Sequence, residues 1–170
     1  MTNWQKGGRV HDGFARAASS VLETLNAWLT STDAARTQLA LTGHSLGAAI
    51  ATLLASVVRP NVLVTIGSPR VGNADFAATL DGIGIKRFVD CCDAVTELPP
   101  EVGGYVHVGP PTYITQAGVP DPGADDAFVS ADRASARSEY FVKYAWKIGN
   151  VLVRDLADHA PVNYVRSLFP

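Results

Sequence analysis

LALTGHSLGAAIATLLASVV, residues 39–58, joins a short apolar segment to a long one through a joint that suits neither a strand nor a helix. Leu39–Thr42 is bounded by turns and predicts a buried strand. Leu46–Val58 is almost unbroken in its apolar character, and its length predicts a buried helix. The joint, Gly43-His44-Ser45-Leu46-Gly47, places a hydroxyl and an imidazole between two glycines, which raises the question of a reaction centre.

A second apolar segment, Val62–Ile66, follows this helix after the turn Arg59-Pro60-Asn61. A strand, a helix and a strand with short connections form a βαβ unit, whose strands are parallel and whose crossover is right-handed. The alternation continues downstream, which predicts the α/β class: a mostly parallel sheet flanked by helices, with residues 1–170 as a single domain.

The remaining elements are predicted from periodicity and turn residues. They are a helix over 14–29 capped by Asp12, a short helix over 73–80, a strand over 85–90, segments 105–109 and 112–115 as paired strands or one bent strand, a turn-rich loop over 118–128, and a long helix from its cap Asp132 to Ile148, ended by Gly149-Asn150.

Composition narrows the functional classes. The chain is 47% hydrophobic and 18% charged, and its formal net charge of −2 gives no electrostatic case for nucleic acid or an anionic membrane. The N-terminal residues contain no apolar core of signal-peptide length, and the longest apolar run is shorter than the roughly 20 residues of a membrane span. The compartment stays open at this stage.

Cys91 and Cys92 are the two cysteines of the chain. Because they are adjacent, they cannot form an ordinary structural bridge, and the spaced ligands of a metal site are missing. We expect two thiols on opposite faces of a strand end, and neither a metal nor an organic cofactor.

The joint fits the pattern G-x-S-x-G, in which a serine lies on a sharp turn from a strand to a helix. Side chains at Gly43 or Gly47 are expected to collide with the neighbouring strand and helix. Held in this way, Ser45 projects from the sheet, and the N–H of Leu46 points toward the place where an oxyanion forms. Strand and helix on either side favour a nucleophile over an ordinary turn.

A serine nucleophile needs a base, which in folds of this type follows the serine and the acid in the chain. His11 precedes the serine, and His44 lies within the joint as a supporting residue. His107 is expected inside a strand as a core histidine. His159 lies on a late loop before a proline that can start the last helix, so it is the candidate base.

Asp93 is the best candidate for the acid that orients the base, because it follows the predicted strand 85–90 by a few residues. Asp90, at the strand end, is its rival, with the capping of a turn as its alternative role. Glu97 precedes an apolar segment, and Asp158 is adjacent to His159 and is expected to point away from the ring.

These residues lie in segments that resemble the class 3 lipases, the fungal triacylglycerol-lipase branch of the α/β-hydrolases. The similar segments occur in family order: RVHDGF (9–14), LTGHSLGAA (41–49), TIGSPRVGN (65–73), VDCCDAVTELPP (89–100), GYVHVGPPTYIT (104–115) and DHAPVNY (158–164). The resemblance implies Ser45 as nucleophile, Asp93 as acid and His159 as base, and a structural role for His107.

The sequence departs from that family at its start. The family's early strands, the F-R-G-[ST] segment that gives the second oxyanion donor, and the lid have no counterpart here, so we expect an N-terminally shortened fold. The strand 39–42 is then expected to expose a hydrophobic edge, at which chains could pair.

Two functions are consistent with these observations. The first is a serine carboxylic-ester hydrolase that acts on acyl-ester or lipid substrates, with Val95, Leu98 and Ile114 as candidates for an acyl groove or for the core. The alternative is a non-catalytic or incomplete lipase-like chain that lacks a full oxyanion hole. Thioesterase, phospholipase or feruloyl esterase activity on the same triad also stays open.

Overall fold

The computed structural model describes residues 1–31, 38–144 and 146–169. The described strands are β1 (Thr2–Asn3), β2 (Arg9–Val10), β3 (Ala40–His44), β4 (Val62–Ile66), β5 (Gly84–Asp90), β6 (Pro111–Ile114) and β7 (Pro120–Asp121). The described helices are α1 (Asp12–Ser31), α2 (Leu46–Val58), α3 (Ala74–Ala78), α4 (Asp126–Lys143), α5 (Arg154–Ala157) and α6 (Pro161–Leu168), with 3-10 turns at Ala94–Glu97 and Glu101–Gly103.

The central sheet has the strand order β3-β4-β5-β6-β7, and β1 pairs with β2 in a separate antiparallel hairpin. Strands β3 to β6 are parallel, and only the short β7 is antiparallel to its neighbour. The register aligns His44 with Ile66 and Ile66 with Phe88. The carboxyl ends of three parallel strands therefore meet at one edge of the sheet, where functional residues of α/β proteins collect.

The predicted βαβ unit is confirmed, and the bounds of α2 and β4 coincide with the predicted ones. Helix α2 is apolar on nearly every side because it packs between α1 and the sheet. Leu53 on α2 and Leu63 on β4 are fully buried in the same core. Trp4 joins this core and donates its indole N–H to Ser56 Oγ at 2.8 Å, which ties the N-terminal hairpin to α2.

Strand β3 is an edge strand of the sheet as far as the described residues extend. Beside it, α1, α2 and β3 enclose an open cavity of about 520 Å³, with apolar side chains such as Leu25, Leu41 and Ile50 in its walls. The hydrophobic edge predicted from the sequence is thus present in the described part of the chain.

The long helix α4 differs from the helix predicted between Asp132 and Ile148. Helix α4 has its cap seven residues earlier than expected, at Asp125, which accepts the N–H of Phe128 at 2.7 Å, and the helix ends at Lys143. Asp132 is not a cap: it is buried within the helix and accepts hydrogen bonds from Tyr113 Oη and the Gln116 N–H. A tertiary partner, which local sequence does not reveal, explains why this aspartate lies mid-helix.

Two further predictions are wrong. Residues 105–109 do not form a strand: Val106 makes one isolated bridge to Gly72, and only Pro111–Ile114 pairs with β5. Asp12 is the first residue of α1 rather than its cap, and its carboxylate forms an exposed ion pair with Arg16. Within the described residues, no helix has the length and apolar character needed to cross a membrane.

Candidate active site

Ser45 lies between the end of β3 and the start of α2 in a strained conformation, with φ 56° and ψ −125°. A side chain at Gly43 would place its Cβ 2.3 Å from the carbonyl of Gly47, so the strand side of the turn requires glycine. The prediction for Gly47 is wrong, because a Cβ there meets no described atom within 4 Å. The turn is anchored by the Ser45 N–H, which donates to the carbonyl of Ile66 at 3.0 Å.

The structure brings the three predicted site residues into one hydrogen-bonded chain. Ser45 Oγ lies 2.8 Å from His159 Nε2, and His159 Nδ1 lies 2.9 and 3.0 Å from the two carboxylate oxygens of Asp93. Asp93 is fully buried, whereas the His159 side chain is 21% exposed. A carboxylate at Nδ1 fixes the proton on that nitrogen, which leaves Nε2 free to accept the serine proton.

Asp93 has two further donors that hold its carboxylate. The N–H of Val95 donates to Oδ1 at 2.9 Å, and the hydroxyl of Tyr164 donates to Oδ2 at 2.6 Å. Tyr164 is itself fully buried, and burial together with the Asp93 charge raises the pKa of its hydroxyl, so Tyr164 stays a proton donor. The same hydroxyl accepts the N–H of Asp90 at 3.0 Å. Sequence reasoning missed this residue, although it closes the motif DHAPVNY.

Gly67, at the end of β4, is a second residue that the sequence reasoning missed. Its φ of +56° lies in the left-handed region, and an added Cβ would come within 2.7 Å of Asp93 Oδ2 and 3.3 Å of His159 Nδ1. The only available signal was its place in the segment TIGSPRVGN, directly after a strand. Glycine here lets the backbone approach the acid and the base together.

His44 and His107 have other hydrogen-bond partners. His44 Nε2 bonds to the backbone carbonyl of His159 at 2.9 Å, and the two rings lie 4.7 Å apart, so His44 supports the loop that carries the base. His107 lies outside any strand, contrary to prediction, and its Nε2 bonds to the carbonyl of Thr96. Burial, assisted by the Arg87 charge, lowers the pKa of His107 to about 3, so it is neutral near pH 7.

The rival carboxylates do not bond to the ring of His159. Asp90 caps its turn by accepting the N–H of Cys91 at 2.8 Å. Burial, and next the Asp158 charge, raise the pKa of Asp90 to about 7. Asp158 points away from the ring, as predicted, and accepts from Arg154 Nε at 2.9 Å and from the Cys92 N–H at 3.1 Å.

Leu46 is the first residue of α2, so its N–H has no carbonyl partner within the helix. The positive end of the helix dipole therefore lies next to Ser45. Of the three candidates for an acyl groove, Ile114 is fully buried in the core, while Leu98 is 54% exposed and Val95 half-buried.

The sequence is similar to known lipases. The sequence model of the family described as Lipase (class 3) matches residues 1–103. Secreted mono- and diacylglycerol lipase 1 of Fusarium solani is 38% identical over 116 residues, which are 64% of this chain and 35% of that protein. The lipase of Rhizomucor miehei is 36% identical over 124 residues, 64% of this chain and 34% of that protein. The chain thus spans about a third of the length of these relatives.

Solved structures give the same result for the fold. The lipase of Rhizopus microsporus var. chinensis superposes with a TM-score of 0.58 at 33% identity, over 66% of this chain and 45% of that one. Another similar structure is a triacylglycerol lipase whose catalytic centre is described as a serine-protease triad, with a TM-score of 0.54 at 34% identity over 62% of this chain and 45% of that one. The predicted α/β-hydrolase fold is confirmed, and the chain belongs to the class 3 lipase family.

Proposed function

We propose that this chain is a serine carboxylic-ester hydrolase of the lipase type, with Ser45 as nucleophile, His159 as general base and Asp93 as orienting acid. The observation that carries the proposal is the continuous chain of hydrogen bonds from Ser45 Oγ through the His159 ring to the Asp93 carboxylate. These residues are up to 114 positions apart in sequence, so their alignment is not a consequence of local structure.

The geometry supports an acyl-enzyme mechanism. Ser45 Oγ attacks the ester carbonyl while His159 Nε2 takes the hydroxyl proton, and the buried Asp93 stabilises the imidazolium that forms. His159 then returns the proton to the departing alcohol as the carbon–oxygen bond breaks. A water molecule, deprotonated by the same nitrogen, attacks the acyl-enzyme and releases the carboxylic acid.

The oxyanion formed in each step is stabilised by the Leu46 N–H and by the N-terminus of α2. One oxyanion donor contributes about 10²–10³ in rate in a well-studied protease. We assign this role to the N–H of Leu46.

The proposed substrates are acyl esters of glycerol. Similar proteins are named mono- and diacylglycerol lipases or triacylglycerol lipase, and the exposed apolar side chain of Leu98 lies five positions after Asp93. An exposed apolar side chain suits an acyl chain better than a charged substrate.

The test compares the wild-type chain with Ser45→Ala, using p-nitrophenyl butyrate hydrolysis and labelling by a fluorophosphonate probe. We expect the variant to lose both signals. Ser20→Ala is the matched control, because the Ser20 hydroxyl is exposed on α1 and donates to the carbonyl of Ala17 within the same helix. Equal activity of wild type and Ser45→Ala contradicts the proposal, and a folded wild type without either signal favours the non-catalytic alternative.

We also propose that residues 1–170 fold as one unit. We further propose that two chains associate along the edge strand β3. The open apolar cavity beside β3 supports this association, since unpaired edges and apolar surfaces favour contact between chains. Thermal unfolding should show one cooperative transition, and light scattering should give the mass of a dimer. A monomer at every concentration contradicts the association, and failure to fold contradicts the single unit.

A further inference from the structure

Cys91 and Cys92 follow directly on β5 in a turn, and both are buried. The two thiols lie on the same side of this turn, with their Sγ atoms 3.5 Å apart, so the expectation of opposite faces of a strand is wrong. The turn folds back because the N–H of Asp93 donates to the carbonyl of Asp90. Adjacent cysteines with nearly touching sulfur atoms form a vicinal dithiol, directly before the proposed orienting acid Asp93.

The peptide unit between the two cysteines is held from both sides. Its carbonyl, on Cys91, accepts from Arg133 Nε at 2.7 Å, and its N–H, on Cys92, donates to Asp158 Oδ2 at 3.1 Å. Asp158 immediately precedes His159, and Asp93 immediately follows Cys92. A rotation of this single peptide unit therefore moves Asp93 and the loop that carries His159 at the same time.

The surroundings favour reaction at Cys92. A hydrogen bond from the Cys91 thiol lowers the pKa of Cys92, although burial opposes this effect. The thiolate is the reactive form of cysteine. Asp90 and Asp158 accept hydrogen bonds from the backbone N–H groups of Cys91 and Cys92, and both carboxylates line an open cavity of about 340 Å³, through which a small oxidant can approach this turn.

We propose that Cys91 and Cys92 are an oxidation site, at which a peroxide converts the two thiols into a vicinal disulfide. The Cys92 thiolate attacks one peroxide oxygen, the O–O bond breaks, and the leaving hydroxide takes a proton to become water, which leaves Cys92 as a sulfenic acid. The Cys91 sulfur then attacks the Cys92 sulfur, the S–O bond breaks, and the hydroxide leaves as water with the proton of Cys91. The two thiols lose two electrons, and hydrogen peroxide is reduced to two water molecules.

The disulfide strains this turn. Adjacent Cα atoms are about 3.8 Å apart across a trans peptide, below the usual separation of about 4.4–6.8 Å in a disulfide. Closing the sulfur atoms from 3.5 Å to bonding distance therefore twists the peptide unit that Arg133 and Asp158 hold. We expect this twist to displace Asp93 and to lower the ester-hydrolase activity, a consequence that rests on the proposed function. A thiol reductant should restore the activity, since strained disulfides are readily reduced.

The experiment treats the folded wild-type chain with hydrogen peroxide and then with dithiothreitol. We expect a mass loss of about 2 Da within the peptide that contains both cysteines. We also expect a fall of at least about tenfold in ester hydrolysis and in fluorophosphonate labelling of Ser45, with recovery on reduction. The mass measurement does not depend on catalysis, so a chain without any hydrolase activity refutes the proposed function while the disulfide is still measured.

Cys91→Ser and Cys92→Ala serve as variants that cannot form the bridge. Each should keep its own untreated activity after the same peroxide pulse, measured before any reductant is added. An unchanged mass in the wild type overturns the oxidation site. A formed disulfide with unchanged activity, or equal inactivation of the variants, overturns its control of the triad. Because the wild-type mass and activity are measured first, a variant that fails to fold does not remove the test.

Discussion

The two halves of the candidate site are built differently. The nucleophile half is local: Gly43, Ser45 and the start of α2 follow one another, and a strained turn sets the position of the hydroxyl. The acid–base half is distributed: Asp93 bonds to His159 across 66 positions and to Tyr164 across 71. A local half is recognised from a short pattern, whereas a distributed half depends on packing throughout the sheet edge.

The difference also concerns charge. The elbow contains no ionisable side chain apart from its supporting histidine, whereas Asp90, Asp93 and Asp158 are all buried in the acid–base half. Buried carboxylates lower the free energy of unfolding unless hydrogen bonds or cations satisfy them. The acid–base half is therefore less stable than an apolar core, but it holds the acid in place. Five substitutions, two of them a matched pair, test the contrast between the halves in order of decreasing expected effect.

Asp93→Asn should have the largest effect on catalysis. An amide at this position no longer fixes the proton on His159 Nδ1, and the corresponding change in a well-studied protease lowers kcat by about 10⁴. Steady-state hydrolysis of a soluble ester measures it. A loss below tenfold would show that His159 is oriented by its backbone contacts rather than by the acid.

Asp90→Asn should raise stability above neutral pH. The native pKa of Asp90, about 7, lies above its unfolded value of 3.8, so the native state holds the extra proton between these values. This group therefore makes the unfolding free energy fall as pH rises from about 4 to 7, by at most about 4 kcal/mol. Urea unfolding of both chains at pH 4 and pH 8 should give similar values at pH 4 and a more stable variant at pH 8. A constant difference at both pH values contradicts the assignment.

Gly43→Ala and Gly47→Ala form a matched pair in the elbow. The Cβ at position 43 would lie 2.3 Å from backbone atoms of Gly47, and we expect a loss of about 3 kcal/mol in unfolding free energy. The Cβ at position 47 meets no described atom within 4 Å and lies in a helix, so its effect should stay within about 1 kcal/mol. Gly47 lines the open cavity beside β3. Equal destabilisation by both substitutions would therefore show that this cavity is filled in solution.

Tyr164→Phe should have a smaller effect than Asp93→Asn, Asp90→Asn or Gly43→Ala. It removes the donor to Asp93 Oδ2 and leaves the aromatic packing in place, so we expect roughly a tenfold lower kcat and about 1–2 kcal/mol less stability. The pH–rate profile separates the two roles: a positioning residue shifts the apparent pKa of the base limb, whereas a purely structural one lowers the rate at every pH alike.

Much of the site followed from the sequence because it depends on short-range rules. The pattern G-x-S-x-G between a strand and a helix predicts a serine turn, and chain order then selects Asp93 and His159. The same reasoning failed where a distant partner decides the outcome. Asp132 resembles a helix cap in sequence, but its carboxylate accepts hydrogen bonds from Tyr113 Oη and the Gln116 N–H. The helix begins at Asp126 instead.

The sequence by itself determined the βαβ unit, the strained serine turn and the identity of the three candidate catalytic residues, because periodicity, glycine and chain order are local or topological properties. Only the tertiary structure decided how Tyr164 and Gly67 surround the acid, and that the two adjacent thiols lie together beside it. Those arrangements arise where β4, β5 and α6 converge, and the distances between residues far apart in the chain are set by packing.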